Sequence, residues 1–156
     1  MKKTIAGLAG TLLLTACGQK EEPAESVKEL MAKRVQPTAQ VYWDAVQFIS
    51  DETGNHDIVP QTDADWERTR KAAEELAAFG DLLQTPAYTE GRNEDWTQFS
   101  QSLVEIAKRA EKAAVDKNPD AVFKVGGTVY NVCSACHQAY PAETPEPGAP
   151  VTGGNA

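Results

Sequence analysis

The stretch NPDAVFKVGGTVYNVCSACH, residues 118–137, decides how the rest of the chain is read. Asn118 suits a helix N-cap, because its side-chain oxygen can accept from the free N–H groups of a first turn. Pro119 follows at the first helical position, where a missing N–H is no loss and φ is already near the helical value. Val122, Val125, Val129, Val132 and Cys136 then recur at alternating spacings of three and four. That is the seam of a helix packed in a bundle. Gly126 and Gly127 interrupt it, each about 1 kcal/mol less favourable than alanine inside a helix. Either a neighbouring helix or a bound group pressing close accounts for small residues there.

Three more helical patterns precede this one. Ser26 with Glu29 makes a capping box that opens the first. Its apolar positions are Val27, Leu30, Met31, Val35, Tyr42, Ala45, Val46 and Ile49, and Pro37 is expected to kink or break it near residues 34–36. Residues 51–60 read as a polar loop. Thr62 or Asp63 can cap the second helix, whose inward face holds Trp66, Thr69, Ala73, Leu76 and Leu83, with Phe79 or Gly80 on the same side. After a break at residues 86–91, Asn93 or Asp95 can start the third, with Trp96, Phe99, Leu103, Ile106, Ala107 and Ala110 inward. No segment alternates with a period of two, so no sheet is expected. The fold class is therefore all-α, an antiparallel four-helix bundle over residues 26–140. Residues 141–156 hold four prolines and three glycines without an apolar period, and read as a disordered tail.

The chain has 156 residues, enough for one domain with a real core. With 23 acidic against 15 basic residues its formal charge is −8. Residues 1–16 carry Lys2, Lys3 and no acid, so their removal makes it more negative still. Such a surface argues against nucleic acid and calls for basic partners. Lys2 and Lys3 followed by the apolar run of residues 5–14 form an export signal, too short to span a membrane. The run ends in Leu14-Thr15-Ala16-Cys17, which resembles the lipobox of bacterial lipoproteins. The resemblance implies cleavage after residue 16, lipidation of Cys17 and an anchor in a bilayer. Residues 17–25 are then a tether, and Gly18 after the cysteine favours the outer membrane. This puts the domain on the periplasmic side of a Gram-negative envelope.

Cys133-Ser134-Ala135-Cys136-His137 carries the chemistry. It is the c-type haem attachment pattern, one haem c per chain. Two thiols three residues apart meet adjacent vinyl groups of one porphyrin, and the next histidine can bind the iron. A structural zinc site needs four ligands and finds at most three here. A thioredoxin-like dithiol follows a strand and opens a helix, whereas this pair ends one. A disulfide between Cys133 and Cys136 remains an alternative in an oxidising compartment. No Ser/His/Asp order, phosphate-binding glycine loop or zinc-protease motif is present, so no enzyme is expected. Trp43, Trp66, Trp96 and Tyr42 are core or bundle-end residues by type.

A haem motif at the end of a fourth helix resembles class II cytochromes c, the cytochrome c′ family and its low-spin relatives, over about residues 26–140. The resemblance implies that Cys133 and Cys136 are the thioether cysteines and His137 the proximal ligand. It puts the distal position on the first helix, where Met31 lies on the apolar face. Met31 as sixth ligand implies one-electron transfer with redox partner proteins. An apolar residue in its place would leave a five-coordinate iron open to nitric oxide or other small gases, and a core methionine is the ordinary role. His56 is a second, weaker candidate for the sixth position. Lys28, Lys33 and Arg34 flank Met31, on an exposed face or within reach of a haem propionate. The resemblance also implies a homodimer through the first two helices.

Overall fold

The computed structural model describes residues 22–141. The expected export signal, Cys17 and residues 142–156 lie outside the described residues. The described chain is mostly helical, in the order α1 (Val27–Leu30), a π-helical stretch (Met31–Val35), α2 (Gln36–Ala45), β1 (Gln47–Asp51), β2 (Gly54–Ile58), α3 (Asp63–Leu83), α4 (Pro86–Thr89), α5 (Glu94–Val115) and α6 (Pro119–Ala139).

Local chemistry sets most of these boundaries. The Ser26 hydroxyl accepts the Glu29 N–H at 3.2 Å, and the Glu29 carboxylate accepts the Ser26 N–H at 3.2 Å. Thr62, rather than Asp63, caps α3 through the same reciprocal pair with Asp65. Asn118 caps α6, its Oδ1 taking the Ala121 N–H at 3.0 Å, with Pro119 in the first turn. Asn93 occupies the N-cap of α5 without a capping side-chain bond.

Pro37 acts earlier than the break expected at residues 34–36. The chain winds one widened turn from Met31 to Val35, closed by the Gln36 N–H bonding to the Met31 carbonyl. Proline has no N–H, and its ring crowds the carbonyl four residues back. A π-turn displaces that carbonyl while the helical path continues. Leu30, Val35, Ala39 and Tyr42 all stay buried across it.

Three expectations fail just after α2: that the first helix reaches Ile49, that residues 51–60 are only a loop, and that the chain forms no sheet. Val46 adopts extended dihedrals (φ −136, ψ 121) and ends the helix. Ile49 therefore sits in a strand, and residues 51–60 are not simply a polar loop. Residues 47–58 form an antiparallel hairpin in which Gln47 faces Ile58 and Asp51 faces Gly54. Its turn is built by Asp51, whose carboxylate accepts the Thr53 N–H at 2.8 Å, and by Gly54, whose φ of 122 suits glycine. Every residue of β2 is exposed. With neither face of that strand buried, no alternation was there to be read.

The helices pack around two apolar clusters. One holds Leu30, Leu76, Leu83, Tyr88, Trp96 and Val129. The other holds Tyr42, Val46, Ala73, Ala110, Ala113 and Val122. Along α3 and α5, Arg70 pairs with Glu111 at 3.0 Å and the Trp96 indole N–H donates to the Leu83 carbonyl at 2.7 Å. A later residue on one helix thus meets an earlier one on the other. The same reversal holds between the first helical segment and α3, where the Arg34 guanidinium lies 4.9 Å from the centre of the Phe79 ring and Thr38 donates to Glu75. Between α2 and α6, the Trp43 indole N–H donates to the Gly126 carbonyl at 3.0 Å.

Glycine is used in opposite ways on α3 and α6. A Cβ at Gly80 would fall 2.6 Å from Val104 Cγ2 and 2.9 Å from the Ser100 carbonyl. A Cβ at Gly127 would meet no described atom within 4 Å. Gly80→Ala is therefore expected to destabilise by about 1–3 kcal/mol, because the helix must shift to admit it. Gly127→Ala is expected to stabilise by about 0.5–1 kcal/mol through helix propensity alone. Urea midpoints of the two variants should move in opposite directions; a shared direction defeats this account of the packing.

The Glu29 carboxylate is lowered to about 2 by its bond from Lys33, then by the Ser26 N–H and hydroxyl. A group depressed in the folded state contributes above the ordinary carboxylate range and loses that contribution as pH falls through its folded value. The α1 cap should accordingly survive at pH 4 and loosen toward pH 2, an effect weakened by salt. Following the Glu29 side-chain carbon by NMR checks it, and an ordinary midpoint near 4 rules it out.

Candidate functional site

The Cys133-Ser134-Ala135-Cys136-His137 motif occupies the last turns of α6. Cys133 and Cys136 stand one helical turn apart, both half-buried and both free thiols. The disulfide left open by the sequence is therefore absent. Burial pushes both thiols above their ordinary values, and at Cys133 the nearby Cys136 adds to the rise. Both are held protonated at neutral pH. His137 is exposed and makes no hydrogen bond or ion pair with a described residue.

Tyr140 fixes this end of α6. Its N–H closes the helix on the Cys136 carbonyl at 2.8 Å. Its ring stands edge-on to Trp96 at 5.1 Å and to Phe99 at 6.4 Å, and its hydroxyl donates to Asn93 Oδ1. The sequence reading made Tyr140 the last residue of the domain and gave it no role. A lone aromatic after the seam gives no periodic signal.

Met31 is half-buried and packs on the first apolar cluster, as do Val132, Cys133 and Tyr140. The pairing of Trp43 with Gly126 and Tyr130, and of Phe48 with Phe123, sets the register between the first helical path and α6. Moving back from Trp43 toward Met31 means moving forward along α6 toward its C-terminus. Met31 and the motif thus lie at one end of the structure. Met31 also opens the π-helical stretch.

His56 is elsewhere. It sits in the hairpin beyond the far end of α2 and pairs with Asp51 at 3.1 Å. Lys33 pairs with Glu29 at 2.9 Å and Arg34 with Glu25 at 2.8 Å, so both belong to the exposed helix face. Among the four aromatic residues singled out, Tyr42 and Trp96 are buried and Trp43 and Trp66 half-buried. Gly126 is explained by a neighbouring helix, since a Cβ there would fall 3.3 Å from Trp43 Cδ1.

Beside Gly126 opens a cavity of about 270 Å³ between α2, β1 and α6, lined by Trp43, Val46, Phe123, Gly127 and Tyr130 among others. None of Met31, Cys133, Cys136 or His137 lines it. Among the described residues, no group of three or more His, Cys, Asp or Glu side chains is arranged to hold a metal ion, and no helix is long and apolar enough to cross a membrane. At the end of α6 stand two unpaired thiols and an exposed imidazole that bonds to no described residue. Compared with protein-family models, curated proteins and solved structures, the chain matches none.

Proposed function

We propose that this chain is a monohaem c-type cytochrome of the class II kind, an antiparallel four-helix bundle that carries one electron rather than turning over a substrate. One observation carries the reading. Cys133 and Cys136 are free, half-buried and one turn apart at the end of a helix, and an unengaged histidine follows directly. Cys133 and Cys136 would hold haem c through thioether bonds, His137 would be the proximal ligand and Met31 the distal one. When bound, the haem supplies the ferric/ferrous couple, and a methionine–histidine pair raises its potential. The chain's own contributions are burial beside the apolar cluster, the clamp of Tyr140 and an acidic exterior that steers basic redox partners.

The export signal and Cys17 support a lipid-anchored protein on the periplasmic face of the outer membrane. A second reading is favoured by the packing of Met31. Its contacts with the apolar cluster are those of an ordinary core methionine. With Met31 withheld from iron, the site would be five-coordinate and would bind or buffer nitric oxide or other small gases.

Expression with a cytochrome c maturation system should give a red protein whose haem resists acid-acetone extraction. The Cys133→Ser, Cys136→Ser double variant should lose covalent haem altogether; a colourless wild type ends the cytochrome reading. Optical spectra with and without carbon monoxide then separate the two functions. Electron transfer requires a low-spin wild type that resists the gas and a Met31→Ala variant that turns high-spin and binds it. A wild type already high-spin and gas-binding puts the second reading first.

A further inference from the structure

We infer that the groove between α2, β1 and α6 is a docking surface for a basic protein partner that inserts one apolar side chain. That this partner is a redox protein rests on the electron-carrier reading; the chemistry of the groove does not. The groove is framed by aromatic rings left in solvent: Phe48 is 42%, Phe123 51% and Tyr130 61% exposed. They form two edge-on pairs, Phe48 lying 5.0 Å from Phe123 and Trp43 6.3 Å from Tyr130, and Trp43, Phe123 and Tyr130 share the groove lining. Joined apolar surface of this kind, rimmed by polar groups, marks interaction sites.

The lining offers an occupant little to hydrogen-bond. The Tyr42 hydroxyl already donates to the Ala110 carbonyl at 3.4 Å and the Trp43 N–H to the Gly126 carbonyl. Gln47 donates to Asp44 at 3.2 Å. An apolar side chain therefore fits best. Gly127 adds a second sign. It weakens α6 and no described atom comes within 4 Å of where its Cβ would stand, so nothing within the fold requires a glycine there. An inserted side chain would.

Charge selects the occupant. Asp44 is bonded to the groove residue Gln47. Asp57 is the cross-strand partner of Phe48, and partners in an antiparallel ladder share a face. Asp120 lies one turn before Phe123. All three are exposed, and none forms an ion pair with a described residue. The single lysine of α6, Lys124, is the base nearest Phe123 in sequence. A second copy of a chain with charge −8 would set like charges together. Residues 142–156 carry Glu143 and Glu146 and no base, so the chain's own tail meets the same repulsion. Lysine and arginine around an apolar anchor are complementary to this rim.

The test titrates the processed full chain with a short lysine peptide carrying one central leucine, read by amide NMR. Saturable shifts at Gly126, Gly127 and Tyr130 are expected, weakening with salt. A serine in place of the leucine should abolish them, and Gly127→Lys should raise Kd about tenfold or more. Gly127→Lys places its side chain in open space, and unchanged far-UV circular dichroism verifies the fold. The Asp44→Asn, Asp57→Asn pair gives an independent variant with the rings intact, and should also weaken binding. Shifts confined to other surfaces, or indifference to both variants, overturn the assignment. So does concentration-dependent dimerisation that broadens the groove signals, or their movement on deleting residues 142–156 without peptide. A chain that lacks covalent haem yet binds the peptide at the groove overturns the cytochrome reading and upholds this one.

Discussion

Trp96 is the point on which the end of the structure carrying the motif depends. Its indole N–H takes the Leu83 carbonyl, one of the last acceptors of α3 that has no partner within its own helix. One face of the ring lies under the Arg92 guanidinium at 4.1 Å, and Tyr140 stands edge-on to it. A single buried side chain thus joins the end of α3, the start of α5 and the end of α6. Aromatic residues do this well because they combine large apolar area with one directional donor. Everything said of Cys133, Cys136 and His137 presupposes that the end of α6 is held, and Trp96 with Tyr140 holds it.

The other side of that end is set by a constraint from sequence rather than by a contact. Pro37 cannot sit in a regular α-helical interior, and the chain accommodates it by widening the turn that begins at Met31. An uninterrupted helix would have presented Met31, Leu30 and Val35 at different angles to the core. With the widened turn, Leu30 and Val35 are buried and Met31 is left at their margin, half-exposed. Pro37 thus shapes the turn that carries Met31 from a position with no chemistry of its own.

The four long helical patterns were legible because each combined a strong helical period with a cap that names its start, as Ser26, Thr62 and Asn118 do. The placement of Cys133, Cys136 and His137 on the last turns of the final helix was legible because the valine seam runs unbroken up to them. What the sequence hid was tertiary. The hairpin is exposed along the whole of β2, so no burial pattern betrayed it, although the Asp51-Glu52-Thr53-Gly54 turn was there to be noticed. The two adjacent glycines of α6 look alike in sequence and differ in structure: Trp43 packs on Gly126, and nothing described packs on Gly127. Tyr140 was invisible because a clamp across helices has no period.

Helix geometry imposes one further condition on the site. Residues three and four apart share a helix face, so Cys133 stands between Cys136 and His137 in angle and the face that carries them is about 100° wide. Here the thiols take the inward side, half-buried, and the imbalance is left to His137, which is exposed. The valine seam sets this presentation: turning His137 inward would require α6 to rotate, and rotation would draw Val122 and Val129 out of the core they now fill. Cys133 therefore lies against the apolar cluster and the imidazole at its border with solvent.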